Sequence, residues 1–387
     1  MLRRNIVVLY VILLVFSFNI PASDDEKELN LSFFSMQMQQ VGGAASSQTA
    51  FNPKISVIGD FVYTYSDLEE GSSWDSGFNI REIELGFQAS VDVYARADFF
   101  FAVSPEVDED GSEETGYEFS LEEGYITFLT LPFGFQARLG KMRTSIGSVN
   151  QKHAHALSWF DYPEVLLRYF GEAGSNGTGG EISLLLPLNF YSELKYQFQK
   201  DNGGAYFNPA DEKEWYHNFR LANFFEPGED HSLKIGIGFL FAGSTFDQQT
   251  VEEVEETVDC VHNVFTADLT YQWCPVRRAI YKKLTINAEA YLFSDDINST
   301  ENRFGMFAAL DYQFNRRWIL GVKYDYLQIP FSEDADENFY TAYVTYIQSE
   351  FTYLRGGYTY VDGVEGSENR VFLQLNFGLG PHRAHKF

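Results

Sequence analysis

Sixteen short stretches of alternating hydrophobicity run from Ile55 to Leu379, and the gaps between them alternate short and long. A period of two marks a strand whose two faces meet different surroundings. Where one face meets lipid and the other water, such stretches spell out a membrane-spanning barrel. The first stretch places Ile55, Val57, Phe61, Tyr63 and Tyr65 on one face, and the second Ile83, Leu85 and Phe87. The eleventh places Leu284, Ile286, Ala288, Ala290 and Leu292 together, and the last Val371, Leu373, Leu375, Phe377 and Leu379. Tight turns are expected at Asp92, at Leu131-Pro132, at Pro187, at Pro227-Gly228, near Pro275, at Asn315 and at Gln348-Ser349.

The expected fold is therefore all-β: a transmembrane antiparallel up-and-down barrel of about sixteen strands over residues 54–387. An even count keeps both termini on one side, the periplasmic side in bacterial outer-membrane barrels. Sixteen strands is also the size class that encloses an aqueous channel. The 37 Phe and 24 Tyr fit this reading, because aromatics favour strands and anchor at membrane interfaces. Beyond the leader, no stretch approaches the roughly 18 consecutive apolar residues of a membrane helix.

Residues 1–22 read as a secretory signal peptide, with Arg3 and Arg4 ahead of an apolar core from Ile6 to Phe16 and a small residue at Ala22. Residues 23–53 read as a flexible periplasmic segment containing the linker-like run 42–47. Cleaving the leader removes two arginines and no acid, moving the formal charge from -27 to -29. Such acidity disfavours nucleic acid as a partner. Cys260 and Cys274 fall at opposite ends of one expected strand. At ~3.3 Å per residue they stand roughly 45 Å apart, so two free thiols are expected.

Charge separates the two sets of gaps. Glu106, Asp108, Glu109, Asp110, Glu113 and Glu114 crowd the second long gap. Asp247, Glu252, Glu253, Glu255, Glu256 and Asp259 crowd the fifth, and Glu333, Asp334, Asp336 and Glu337 the seventh. Arg277, Arg278, Arg316 and Arg317 lie instead in short turns. Long and short gaps thus belong to opposite sides of a membrane. The loop acids are candidate sites for divalent cations that bridge lipopolysaccharide, although no calcium-loop spacing is present and solvated acid is the plainer reading.

The alternates of the apolar series face the lumen. They include Arg96, Arg138, Lys195, Arg220, Lys323 and Arg355, interleaved with Glu82, Glu84, Asp98, Glu193, Asp311 and Asp325. A charge on the lipid face would cost ~2–4 kcal/mol at mid-plane, so this parity argues for a wet interior. Rings of charge at a constriction set ion preference. The third long gap, residues 143–178, is the candidate constriction because it mixes apolar residues with both signs of charge. Folded inward, it is expected to bury Trp159, Leu166 and Leu167 against the wall and to set Asp161 and Glu164 opposite Arg96 and Arg138. His153 and His155 form a His-x-His pair there, a candidate metal pair with few acids close in the chain. No nucleophile elbow, zinc-protease motif or phosphate-binding glycine loop occurs, so an enzyme is not expected, and no cofactor is implied.

The run Leu139-Gly140-Lys141-Met142-Arg143-Thr144-Ser145-Ile146-Gly147 resembles the Gly-Lys/Arg-x-Lys/Arg-x-x-Phe/Ile-Gly stretch of the phosphate-selective porin O/P-like family. Ile58-Gly59-Asp60-Phe61 is similar to that family's first strand. The resemblance implies a sixteen-stranded, trimeric, passive channel in the outer membrane of a Gram-negative cell. It also implies anion selectivity from a lumenal basic ladder, to which Arg96, Arg138 and Arg355 would belong. The chain departs from that pattern in its interleaved lumenal acids and in Pro381-His382-Arg383, which interrupts the alternation before Phe387. The expected function is passive diffusion of small hydrophilic solutes or ions, phosphate among them. The alternative is a closed barrel acting as a surface binding or structural protein, with metal held by its acidic loops or by His153 and His155.

Overall fold

The computed structural model describes residues 53–380, apart from 69–73, 75, 108–112, 201–214, 250–254, 296–301, 330–334 and 365. The expected leader (1–22), the segment 23–52 and the end of the chain from 381 lie outside the described residues. Sixteen strands follow in order: β1 Lys54–Ser66, β2 Gly77–Ser90, β3 Ala95–Val107, β4 Glu113–Phe128, β5 Phe135–Arg143, β6 Asn176–Leu185, β7 Tyr191–Lys200 and β8 Tyr216–Gly228. The second half comprises β9 His231–Gln249, β10 Glu255–Trp273, β11 Lys283–Asp295, β12 Arg303–Gln313, β13 Trp318–Gln328, β14 Asp336–Ser349, β15 Thr352–Gly363 and β16 Gly366–Leu379. One short helix, α1 (Glu164–Phe170), lies between β5 and β6.

Each strand pairs antiparallel with its chain neighbours, and β1 pairs with β16 from Val57↔Leu379 to Ser66↔Arg370. The sheet is a closed barrel, and closure leaves no edge strand unpaired. Burial alternates as the sequence period requires. On β13, Leu320 and Val322 are exposed, whereas Lys323, Asp325 and Leu327 are buried. On β16, Val371 and Leu373 are exposed, whereas Arg370, Phe372 and Gln374 are buried. The outer face is thus apolar. Exposed Tyr94, Phe133, Tyr281, Trp318 and Phe351 mark its short-turn end, and Tyr65, Phe78, Tyr117, Trp215 and Tyr360 its other end. Two aromatic girdles around an apolar band are the outer surface of a membrane barrel. Among the described residues, no helix is long and apolar enough to cross a membrane.

The structure corrects the gap pattern in two places. The last expected long gap is a two-residue turn, with Gly363 paired to Gly366, whose φ of 123° suits glycine. The fifth acidic gap is largely strand: β9 and β10 pair from Glu255↔Gln249 onward, so Asp247, Glu255, Glu256 and Asp259 belong to a hairpin. Cys260 lies on β10, and Cys274, just past the other end of that strand, is a free thiol.

Two bulges shape the wall near the site. Asp60 pairs with Glu82 and Phe61 with Ile80, which leaves Arg81 as an extra residue on β2. Phe100 pairs with Glu123 and Phe101 with Leu121, which leaves Glu122 extra on β4. A bulge breaks strict alternation and re-aims side chains.

Candidate functional site

The segment 144–175 joins β5 to β6 and is anchored at its base by backbone amides. Ser145 donates from N to Gln197 Oε1 at 2.7 Å, while Ser148 N and Oγ and Val149 N donate to Glu289 Oε1 at 2.6, 2.7 and 2.8 Å. One carboxylate oxygen therefore gathers three donors, the charge-assisted arrangement that fixes a loop most firmly. Asn150 Nδ2 donates to the carbonyls of Thr144 and Ser175 at 2.8 and 2.7 Å, closing the base of the segment. Gly147 has φ of 65°, and a Cβ there would strike the Glu289 carboxylate and the Tyr291 hydroxyl. The second glycine of the 139–147 motif is thus what allows the backbone to reach Glu289.

Farther along, the segment packs on aromatic rings. Trp159, Tyr162, Val165, Leu166, Tyr169 and Phe170 are buried in one cluster with Phe293 of β11, Phe307 of β12, Leu327 of β13, Phe339 of β14 and Phe372 of β16. Tyr169 stacks on Phe293 with centroids 3.6 Å apart, and Phe160 on Phe372 at 4.3 Å. Leu167 is only partly buried. Each fully buried large side chain contributes roughly 1.5–3 kcal/mol. α1 begins after Pro163, whose fixed φ suits a helix start, and ends at Gly171 with φ of 84°. Tyr169 donates from its hydroxyl to Gln328 O at 2.8 Å.

The expected basic residues lie on the buried parity, and five of the six have an acid beside them. Arg96 Nε donates to Asp98 at 2.7 Å, and Arg220 Nη2 to Asp268 at 2.8 Å. Arg138 stands 3.5 Å from Glu181, Lys195 3.5 Å from Glu193 and Lys323 3.1 Å from Asp325. Arg355 instead donates to the segment, to Trp159 O at 2.5 Å and Leu157 O at 3.1 Å, and to Gln374 Oε1 at 2.8 Å.

Asp161 and Glu164 do not face Arg96 and Arg138, contrary to expectation. Asp161 lies close enough to Arg81 to stabilise its charge, and Glu164 stands 3.7 Å from Arg370 and accepts no partner from β3 or β5 among the described residues. The cause is the aromatic cluster, which holds α1 against β12 and β13. Burial pushes the Glu164 carboxyl up to about 7, with Asp325 adding to the rise and Arg370 opposing it.

Sequence reading missed Arg81, Arg370, Glu123 and Glu122, and named Arg143 only within the 139–147 motif and the candidate constriction. Arg81 reaches Asp60 and the Phe160 carbonyl, at 2.8 Å for the latter. Arg143 donates to Ala173 O at 2.8 Å, and Arg370 to Glu368 at 2.8 Å. The bulges explain the first and the fourth omissions, because strict alternation would point one of each pair Arg81-Glu82 and Glu122-Glu123 at lipid. Two adjacent charges inside a membrane strand were the available clue.

The alternation of β2 and the bulge of β4 bring four carboxylates, Glu82, Glu84, Glu122 and Glu123, to the loop histidines. His153 Nδ1 lies 2.8 Å from Glu122 Oε2 and 2.9 Å from Glu84 Oε2, and its Nε2 lies 2.8 Å from Glu123 Oε1. Burial by itself would lower the His153 pKa, but Glu84 and Glu122 raise it well above the usual histidine value. His155 stacks on His153 with centroids 5.6 Å apart, and its Nδ1 lies 3.7 Å from Glu84 Oε2.

Comparison with known proteins finds the same architecture in outer-membrane barrels. No family model matches the sequence. An uncharacterized protein of Aquifex aeolicus is 25% identical over a 397-residue alignment covering 88% of this chain and 81% of that protein. The barrel is similar to OprB of Pseudomonas putida, with a TM-score of 0.58 and 9% identity over 86% of this chain and 95% of that one. It is similar to the anion-selective porin from Comamonas acidovorans, with a TM-score of 0.53 and 13% identity over 85% and 99%. The trimer form of the outer membrane protein OmpT of Vibrio cholerae gives a TM-score of 0.54 and 11% identity over 85% and 100%. At these identities the likeness is one of fold: a closed sixteen-stranded barrel of the porin type.

Proposed function

We propose that the chain is a bacterial outer-membrane channel for passive diffusion of small hydrophilic solutes or ions. One observation carries the reading: a closed sixteen-strand barrel keeps charges of both signs on its inner parity and apolar residues outside. In this reading residues 1–22 direct export, 23–53 form a periplasmic lead-in, and 54–387 sit in lipid beside lipopolysaccharide. The segment 144–175 is the constriction. The acidic outer loops are available to divalent cations, and the channel assembles as a homotrimer, as the Vibrio cholerae protein does in its trimer form.

Selectivity is proposed to be weak. Anion preference, for phosphate or another anion, would need basic side chains free of acids, and only Arg355 of the six escapes an acid, being taken up by loop carbonyls. Reconstitution into planar bilayers tests the reading. Stepwise conductance with a small reversal potential in a salt gradient supports it, and a strongly anion-selective reversal potential would restore the basic ladder.

A second reading has its own observation. Trp159 and Val165, Leu166, Tyr169 and Phe170 of α1 share one buried apolar cluster with wall residues of β11–β14 and β16, a packing that suits a core better than a pore wall. A closed barrel acting as a surface binding or structural protein would look the same at that level. A correctly folded, electrically silent barrel would favour it.

A further inference from the structure

A carboxylate pair on β2 and a histidine from the loop meet at ligand distance inside the barrel. Glu82 and Glu84 both point inward, opposite the buried Asp60 and Ile58 of β1, with Arg81 as the extra residue of the bulge beside them. One carboxylate oxygen of each and one ring nitrogen of His155 lie within 4.8 Å of one another. Glu84 is 1% exposed and His155 7%. Glu82 Oε1 is buried and accepts no hydrogen bond among the described residues.

Distances separate the two histidines. His153 is held at hydrogen-bond length on both ring nitrogens, 2.8 Å from Glu122 through Nδ1 and 2.8 Å from Glu123 through Nε2, with Glu84 2.9 Å from the same Nδ1. The 3.7 Å between His155 Nδ1 and Glu84 Oε2 is longer than a hydrogen bond. Two ligands each ~2.1 Å from a tetrahedral ion stand ~3.4 Å apart, close to that value. Charge points the same way. Glu82, Glu84, Glu122 and Glu123 converge there against two cationic groups, the His153 imidazole and the Arg143 guanidinium, the latter 3.7 Å from Glu122 and 3.9 Å from Glu123, while Arg81 is engaged by Asp60. Buried carboxylates in excess of nearby cations are costly unless a cation joins them.

We propose that Glu82, Glu84 and His155 bind one divalent transition-metal ion of the zinc class. His153, braced by Glu122 and Glu123, orients Glu84 and is not a ligand. One imidazole and two carboxylates with an open position suit zinc or cobalt, whereas calcium and magnesium require six or more oxygens or a largely hydrated shell. The ion ties segment 144–175 to β2, the wall that the aromatic cluster does not reach. The proposal stands apart from the channel reading, because a closed barrel could hold the same ion.

The test is titration of the full-length, detergent-folded and metal-stripped protein with Zn2+ alone by calorimetry and with Co2+ by visible absorption. One ion per chain is expected, with the ligand-field band of low-coordinate Co2+. His155→Ala and Glu84→Gln should each weaken binding by about 100-fold or more, since supporting residues alone are worth roughly 10–100-fold. His153→Ala should weaken it by about 10-fold, and Glu252→Gln with Glu253→Gln should leave it unchanged. Circular dichroism confirms that each variant retains its barrel. If Glu84→Gln does not fold, the Co2+ band of the parent chain and its loss in His155→Ala decide the matter. Equal binding in His155→Ala, binding abolished only by the outer-loop pair, or no binding to the folded barrel would each overturn the proposal.

Discussion

The segment 144–175 touches two unlike walls. On one side are β2 and β4, bulged and lined with Glu82, Glu84, Glu122 and Glu123. On the other are β11–β14 and β16, lined with Phe293, Phe307, Leu327, Phe339 and Phe372. The aromatic wall holds the segment by removing apolar surface from water, a force indifferent to pH and ions. The acidic wall holds it through His153 and Arg143, where charge decides the strength. One side therefore acts as the fixed attachment and the other as the adjustable one.

The largest expected effect breaks the fixed side. Trp159→Ala empties a site that is 2% exposed and should cost the segment about 3–5 kcal/mol. Limited proteolysis should then cut within 144–175 while the barrel keeps its strand content. Loss of the barrel itself would mean that the aromatic wall supports the whole fold, not the segment alone.

Next is the base of the segment. Glu289→Gln should weaken three hydrogen bonds to one carboxylate oxygen, each worth about 1.5–3 kcal/mol at a charged group. Amide exchange at Ser148 and Val149 should accelerate, with protection at Tyr169 unchanged. Equal acceleration at both sites would erase the division between base and tip.

A smaller effect comes from Glu164. With its pKa near 7, the carboxyl is neutral below that pH and gains a negative charge above it. Reversal potentials should therefore move toward cation preference between about pH 6 and pH 8, and Glu164→Gln should flatten the profile. An unchanged profile would place Glu164 away from the ion path.

The smallest effect is expected at Arg138→Ala. This arginine is a quarter exposed and 3.5 Å from Glu181, so its loss should cost under about 1 kcal/mol and leave segment protection unchanged. A large loss of protection would show that Arg138, and not only Arg143 of the same strand, anchors the segment.

The barrel was legible in the sequence because its cause is local: each strand's period of two is visible residue by residue. The loop's attachment was legible in part. Trp159 and Leu166 stand out as apolar residues in a polar chain, and both are buried. Their destination was not legible, since Phe293 and Phe307 alternate into the strands exactly where polar residues were expected, and only the closed barrel brings them to α1. Glu82 and Glu84 were legible as lumenal acids, but Arg81, Glu122 and Glu123 were hidden for a different reason. Bulges at Arg81 and Glu122 shift the parity by one residue, and strict alternation cannot represent that. Arg96 and Arg138 lacked their expected partners because Asp98 and Glu181 are nearer than any residue of the loop.

The central claim is that segment 144–175 governs passage through the barrel. The direct measurement is single-channel conductance in planar bilayers, comparing the parent chain with a variant whose residues 152–171 are replaced by a short Gly-Ser linker. The base held by Asn150 and Glu289 remains in that variant. The account predicts larger unit steps and a reversal potential closer to zero in the shortened chain. Identical steps and identical reversal potentials in two correctly folded barrels would contradict it.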